Sequence, residues 1–186
     1  MAGMNLTHQF LIAMPGMVDP NFAGSVVYVC EHNDKGALGL VINRPSDITL
    51  EGLFDKVELR LEIAVRKDDP VMIGGPVQTE RGFVLHSPGT RYNSTLPITE
   101  AMALTTSKDV LEAIAAGSGP DKVLVTLGYS GWGAGQLEDE IGQNAWLTVV
   151  ADSAVIFDTA PEARFAASLR LLGIDPANLT GQAGHA

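Results

Sequence analysis

Two apolar segments in the first quarter of the chain constrain the fold more than any other feature. They are SVVYVCEH at 25–32 and GALGLVIN at 36–43, which meet at the turn-forming residues NDKG. Asn, Asp and Gly at such a junction are typical of a β-hairpin. Neighbouring as well as alternate positions are apolar in both segments, so we expect this hairpin to be covered on both faces.

The periodicity of the remaining segments predicts further strands and helices. We expect strands at 8–14, 102–107, 122–128 and 146–151, a second hairpin of 71–77 with 82–87, a loop at 58–70, and helices at 48–57, from Ser107 to Gly117, at about 136–144 and at 161–173. Because hairpins precede the helices, an α+β fold around a mixed, largely antiparallel sheet is expected. The length favours a single domain over residues 1–186.

Charge and composition bear on partners and location. The net charge is −10, with 12 basic residues against 22 acidic ones and no basic cluster, which argues against direct nucleic-acid binding. No basic residue precedes the apolar N-terminal patch, and the apolar runs are too short to cross a membrane. The single cysteine fits a reducing compartment. We therefore expect a cytoplasmic protein with no membrane partner.

The glycine-rich stretch GYSGWGAGQLEDEI at 128–141 resembles several site motifs and matches none of them. Trp132 occupies the place of the last glycine in the hydrolase pattern G-x-S-x-G, and no lysine follows for a phosphate loop. Acidic residues at 138–140 disfavour phosphate at the following helix. Two interpretations remain: a tight turn whose aromatic side chains fill the core, which we favour, or a ligand-binding surface.

Cysteine and histidine positions suggest further chemistry. Cys30 and His32, at i and i+2 of a strand, should share one face and could supply two zinc ligands. No HExxH or CxxC pattern supports a metal site, so a buried, unreactive Cys30 is favoured, and we expect no metal or cofactor. Glu31 would need a partner if buried, for which Arg44 is a candidate. His86 is interpreted as an edge histidine rather than a general base.

Six segments in order resemble the AlgH/YqgE family of bacterial proteins: residues 5–45, VMIGGPV, RGFVLHS, TTSKDVLEAIA, LGYSGWGAGQLEDEIGQNAWL and the terminal GQAGHA. The resemblance implies a cytosolic protein with a sheet curled towards a barrel and flanked by helices. Some members carry the label of a transcriptional regulator of alginate biosynthesis. The family's recurrent polar positions correspond here to Cys30, Glu31, His32, Asn33, Asn43, Arg44, Ser130, Trp132, Gln136 and Glu138.

Three functions are compatible with these residues. The favoured one is a non-enzymatic regulatory or adaptor protein that binds an unidentified protein or small molecule at the Gly-Trp segment, the glycine-rich stretch around Trp132. The alternatives are a hydrolase-like enzyme using Ser130, Cys30 or His86, and a DNA-binding regulator. If the ring of Trp132 serves recognition, Trp132→Ala should cost less than about 1.5 kcal/mol, whereas truncation of a strand-buried Trp146 should cost about 3–5 kcal/mol.

Overall fold

The computed structural model describes residues 4–60 and 66–178, which form ten strands and five α-helices. The strands are β1 Gln9–Ala13, β2 Val26–Asn33, β3 Gly36–Val41, β4 Pro45–Thr49, β5 Pro70–Ile73, β6 Val77–His86, β7 Thr95–Thr99, β8 Met102–Thr105, β9 Val123–Gly133 and β10 Trp146–Val150. The helices are α1 Leu50–Lys56, α2 Lys108–Ala115, α3 Gln136–Gly142, α4 Ser153–Phe157 and α5 Arg164–Leu171.

One curled sheet organises these elements. Its strand order is β10-β1-β2-β3-β9-β6-β8-β7, with β4 paired to β5 and β5 paired to β9. The β5–β9 contact is parallel, and the other pairings are antiparallel. The sheet bends into a half-barrel with helices packed against it, which confirms the expected α+β class.

The first predicted hairpin is confirmed. β2 and β3 pair antiparallel, and their side chains enter two different core clusters: Tyr28 and Leu40 pack in one, Val27 and Val41 in the other. The hairpin is thus covered on both faces, as its continuous apolar sequence predicts. Its register shifts between Val29 and Glu31, so an extra residue forms a β-bulge there.

The second predicted hairpin is wrong. β5 and β6 do not pair with each other: β5 lies beside β4 and parallel to β9, while β6 pairs with β8 and β9. The intervening glycines explain the crossing. A Cβ on Gly75 would lie 2.2 Å from the carbonyl of Tyr129, so only glycine lets the chain pass this close to β9.

The glycine-rich stretch is a strand rather than a tight turn after residue 128. β9 continues to Gly133, and its last four residues pair with β3. Close approach of the two backbones requires small residues, since a Cβ on Gly36 would lie 2.2 Å from the carbonyl oxygen of Trp132. The turn follows instead at Gly135, whose φ of 76° precedes α3.

Other boundaries differ in detail. β4, β7 and α4 were not predicted, and the last helix begins as a 3-10 turn at Pro161–Ala163 before α5. Gly117 follows α2 with φ of 83°, as expected of a helix stop, but the hydroxyl of Ser107 donates to Asp109 instead of accepting from the helix. Of the loop predicted at 58–70, residues 61–65 lie outside the described part of the chain.

Candidate functional site

Trp132 is part of an aromatic cluster built around one carboxylate. Its indole Nε1 donates to Oε1 of Glu140 at 3.0 Å, and Nε1 of Trp146 donates to the same oxygen at 2.9 Å. Phe22 stacks on Trp132 with ring centroids 5.9 Å apart. Both indoles are buried. The ring of Trp132 therefore packs in the core, in agreement with the favoured interpretation that aromatic side chains of this stretch fill the core, and it is not free for recognition.

Gln136 fastens this cluster to the end of β9. Its Oε1 accepts from the backbone N–H of Gly133 at 3.0 Å, and its Nε2 donates to Oε2 of Glu140 at 2.9 Å. Both oxygens of Glu140 thus accept hydrogen bonds, which is the condition for holding a carboxylate beside buried rings. Gln136 acts here as a bridge between strand and helix.

His32 and Cys30 do not share a face, contrary to the expectation from i, i+2 spacing. Cys30 packs in the core cluster of Tyr28, whereas Nδ1 of His32 accepts from the backbone N–H of Leu6 at 2.9 Å and Nε2 lies 3.2 Å from Oε1 of Glu138. The bulge after Val29 changes the alternation and separates the two side chains. A zinc pair of Cys30 and His32 is therefore wrong.

The electrostatics of this pair follow from its contacts. Because Nδ1 of His32 accepts a hydrogen bond, geometry assigns the proton of the neutral ring to Nε2, facing Glu138. A hydrogen bond from its own backbone N–H, with the contact from His32, lowers the pKa of Glu138. Burial, with the nearby charge of Glu31, raises the pKa of the Cys30 thiol and keeps it protonated.

The candidate nucleophile and base of a hydrolase lie apart. The buried hydroxyl of Ser130 donates to the carbonyl of Gly74 at 3.0 Å, while His86 contacts the carbonyl of Ser87 at 2.8 Å and Thr105 at 2.7 Å. His86 pairs with Val123, seven residues before Ser130 on β9, a separation of roughly 23 Å along the strand. These two side chains cannot act as a nucleophile–base pair.

Asn43 and Arg44 hold the loop that precedes β2. Oδ1 of Asn43 accepts from Val26 N–H at 2.9 Å, and its Nδ2 donates to the carbonyl of Gly24 at 3.0 Å. Arg44 donates to the carbonyls of Asn21 and Ala23. Arg44 therefore does not pair with Glu31, which is exposed and needs no buried partner.

An open cleft of about 550 Å³ lies over the β2–β3 turn and the end of β9. Its lining includes three residues named from the sequence, Glu31, Asn33 and Trp132, and others that were not: Lys35, Gly36, Ala37, Leu38, Val77, Tyr129 and Gly131. Since successive strand residues face opposite sides, Tyr129 and Gly131 lie on the face opposite the Trp132 indole. The alternation of polar residues at 31, 33 and 35 in the sequence could have indicated that this side of the β2–β3 turn borders a cleft.

The cleft is lined by groups of mixed chemistry. Exposed Glu31, Asn33 and Lys35 provide an acceptor, an amide and a cation, and the half-buried side chains of Tyr129 and Leu38 provide apolar contact. Ser130, Cys30 and His86 are not part of its lining. In the described ranges 4–60 and 66–178, no group of three or more His, Cys, Asp or Glu side chains could hold a metal ion.

No helix within the described residues is both long enough and apolar enough to cross a membrane.

Comparisons with known proteins agree on one family. The model of the AlgH-like family matches residues 10–177. A UPF0301 protein of Cupriavidus pinatubonensis is 65% identical over 185 residues, covering 100% of this chain and 97% of its own. A UPF0301 protein of Bordetella petrii is 63% identical over 182 residues, covering 98% of this chain and 90% of its own.

Two solved structures have the same fold. The solution structure of the AlgH protein from Pseudomonas aeruginosa is 53% identical, covers 100% of this chain and 98% of its own, and superposes with a TM-score of 0.82. A crystal structure of a Corynebacterium diphtheriae protein is 19% identical, covers 97% and 92% of the two chains, and gives a TM-score of 0.72, which shows likeness of fold alone.

Proposed function

The chain belongs to the AlgH-like family, and on that premise we propose that it is a non-enzymatic, cytoplasmic regulatory or adaptor protein that binds a protein or small molecule in the cleft beside the β2–β3 turn. The observation that carries the proposal is the meeting of Glu31, Asn33 and Lys35 with Tyr129 in one open cleft. Mixed polar and apolar lining of this kind is typical of binding surfaces.

The hydrolase alternative loses support because its candidate residues serve packing. His86 on β6 pairs with Val123 of β9, seven residues before Ser130, and Cys30 is buried with a raised pKa. A binding role needs no such set and uses only groups that are accessible. Direct DNA binding is disfavoured by the net charge of −10.

The test compares cleft variants with a matched surface control. Asn33→Arg and Lys35→Glu change exposed side chains of the cleft. Lys108→Glu makes the same charge change as Lys35→Glu, but at an exposed position on α2 that does not line the cleft. Affinity capture from an extract of the source organism, followed by mass spectrometry of proteins and of small molecules, identifies what each variant retains.

We expect wild type and Lys108→Glu to retain the same partner, and the two cleft variants to lose it. Loss of one buried polar contact at such a surface commonly weakens binding about tenfold or more. An identical set of retained molecules for all four proteins would contradict the assignment of the cleft. Turnover of a retained small molecule would contradict the non-enzymatic function.

A further inference from the structure

Arg164, the first residue of α5, is a buried cation held by backbone carbonyls. It is 5% exposed, its Nε donates to the carbonyl of Thr159 at 3.0 Å, and its Nη1 donates to the carbonyl of Ile42. Nη1 also lies 3.6 Å from Sδ of Met72. Two of the three guanidinium nitrogens are thus fixed, and the plane of the group is fixed with them.

The third nitrogen, Nη2, has no hydrogen-bond partner among residues 4–60 and 66–178. Among the described residues, the buried side-chain nitrogen and oxygen atoms that lack a hydrogen-bond partner are Ser25 Oγ and His32 Nε2. Nη2 of Arg164 is not one of those enclosed atoms. The space that Arg164 lines is a cavity of about 200 Å³.

The charge of Arg164 is not neutralised by an ion pair with any described carboxylate. Burial lowers its pKa to about 10, against an opposing effect of Glu162, so the guanidinium stays charged at neutral pH. A buried charge without an ionic partner is unfavourable unless something compensates it. An anion in the cavity would supply that compensation.

The other residues that line the cavity indicate which kind of anion would fit there. A second arginine, Arg66, lines the cavity and donates through Nη2 to the carbonyl of Asp121, and the walls include the apolar side chains of Leu50, Ile156 and Phe157. The volume equals that of roughly six water molecules, enough for a small organic acid. Asp69 also lines the cavity and offsets one of the two arginine charges, so the net charge of the lining matches a monoanion and disfavours a dianion such as phosphate.

We propose that this cavity binds a small monocarboxylate with an apolar body. Its carboxylate accepts hydrogen bonds from Nη2 of Arg164 and from Arg66, and its apolar part packs against the half-buried Phe157 and Pro161. The site is separate from the cleft beside the β2–β3 turn and shares no lining residue with it. Either assignment can therefore fail without the other.

The test is an NMR titration of the full chain with 3-methylbutanoate, with 3-methylbutanamide as the uncharged control. We expect saturable shifts of the Ile156 and Phe157 amides and of the Arg164 Nε resonance, with a Kd on the order of 1 mM for a ligand of this size. The amide should produce no saturable shift at these positions. Binding should raise the thermal midpoint of unfolding by mass action.

Variants separate a built anion site from weak apolar binding. Arg66→Gln changes a half-buried residue and should raise the Kd about tenfold, the loss expected for one charge-assisted hydrogen bond, while Arg91→Gln, an exposed arginine outside the cavity, should leave it unchanged. Equal binding of the acid and the amide, an unchanged Kd in Arg66→Gln, tighter binding of inorganic phosphate, or no shift at all would overturn the proposal.

Discussion

Several polar side chains inside this protein form hydrogen bonds with backbone groups of neighbouring elements. Ser130 donates to Gly74, Asn43 bonds Val26 and Gly24, and His32 accepts from Leu6. From the sequence alone, a polar residue in an apolar segment can therefore be interpreted either as part of a functional site or as the source of a structural hydrogen bond. Here the second applies at these positions, because each partner comes from a distant part of the chain.

His86 gives a pH dependence that can be measured. Burial lowers its pKa below the ordinary value of 6.5, so the unfolded chain binds more protons between the two values. The contribution of neutral His86 to the free energy of unfolding is complete above about pH 6.5. It is lost as the pH falls below that value, at no more than about 1.4 kcal/mol per pH unit. Wild type should therefore lose stability between about pH 7 and 5, as measured by urea unfolding.

The variant His86→Gln should lack this part of the pH dependence and show a shallower acid slope. Burial also lowers the pKa of His8, which is still present in His86→Gln. The variant His8→Gln provides the comparison, since it should remove only the part of the pH dependence that comes from His8. Equal slopes for wild type and His86→Gln would show that His86 is not held neutral by burial.

Strand β9 decides the geometry of the candidate site. It pairs with β3, β5 and β6 along its eleven residues, so it joins the two halves of the sheet. Because Gly36 and Gly75 carry no Cβ, they can lie against the backbone of Trp132 and Tyr129 of β9. Tyr129 and Gly131 lie on the cleft side of β9, and the indole of Trp132 lies on the side of the aromatic cluster. One strand thereby contributes Tyr129 to the cleft and the ring of Trp132 to the core.

The two tryptophans should now contribute alike to stability. Trp132→Ala and Trp146→Ala each remove a buried ring that donates to Glu140, so each should cost about 3–5 kcal/mol, in place of the small loss first expected at Trp132. Val150→Ala, at a residue 63% exposed on the edge strand β10, should cost less than about 0.5 kcal/mol.

Urea unfolding followed by circular dichroism measures all three variants without relying on tryptophan fluorescence. If Trp132→Ala lowered the free energy of unfolding as little as Val150→Ala does, the aromatic cluster would not be what holds β9 against α3. The Gly-Trp segment would then be available for recognition after all.

At the scale of the whole molecule, net charge governs which partners can approach. The chain carries −10, and two of its arginines, Arg44 and Arg164, bind backbone carbonyls rather than facing outward as a basic patch. We expect no saturable, sequence-selective DNA binding below about 1 μM in a gel-shift assay at about 150 mM salt. Selective binding at about 10⁻⁸ M, the range of specific regulators, would contradict this expectation.

The parts of the fold that depend on near neighbours were determined by the sequence. The β2–β3 hairpin follows from its NDKG turn, and α2 ends before Gly117. Glu31 and Asn33, in contrast, were named as site residues only through the resemblance to the AlgH/YqgE family. Turn chemistry and periodicity act over a few residues, so they can be read without the fold.

Only the tertiary structure decided the rest. Three features join parts of the chain that are distant in sequence. β5 and β6 pair on opposite sides of β9, Trp132 and Trp146 share Glu140, and Tyr129 meets Lys35 in the cleft. Strand runs of similar composition can pair in many orders, and one extra residue at a bulge moved His32 to the face opposite Cys30. Which order and register occur depends on packing of the complete sheet, and local pattern does not contain that information.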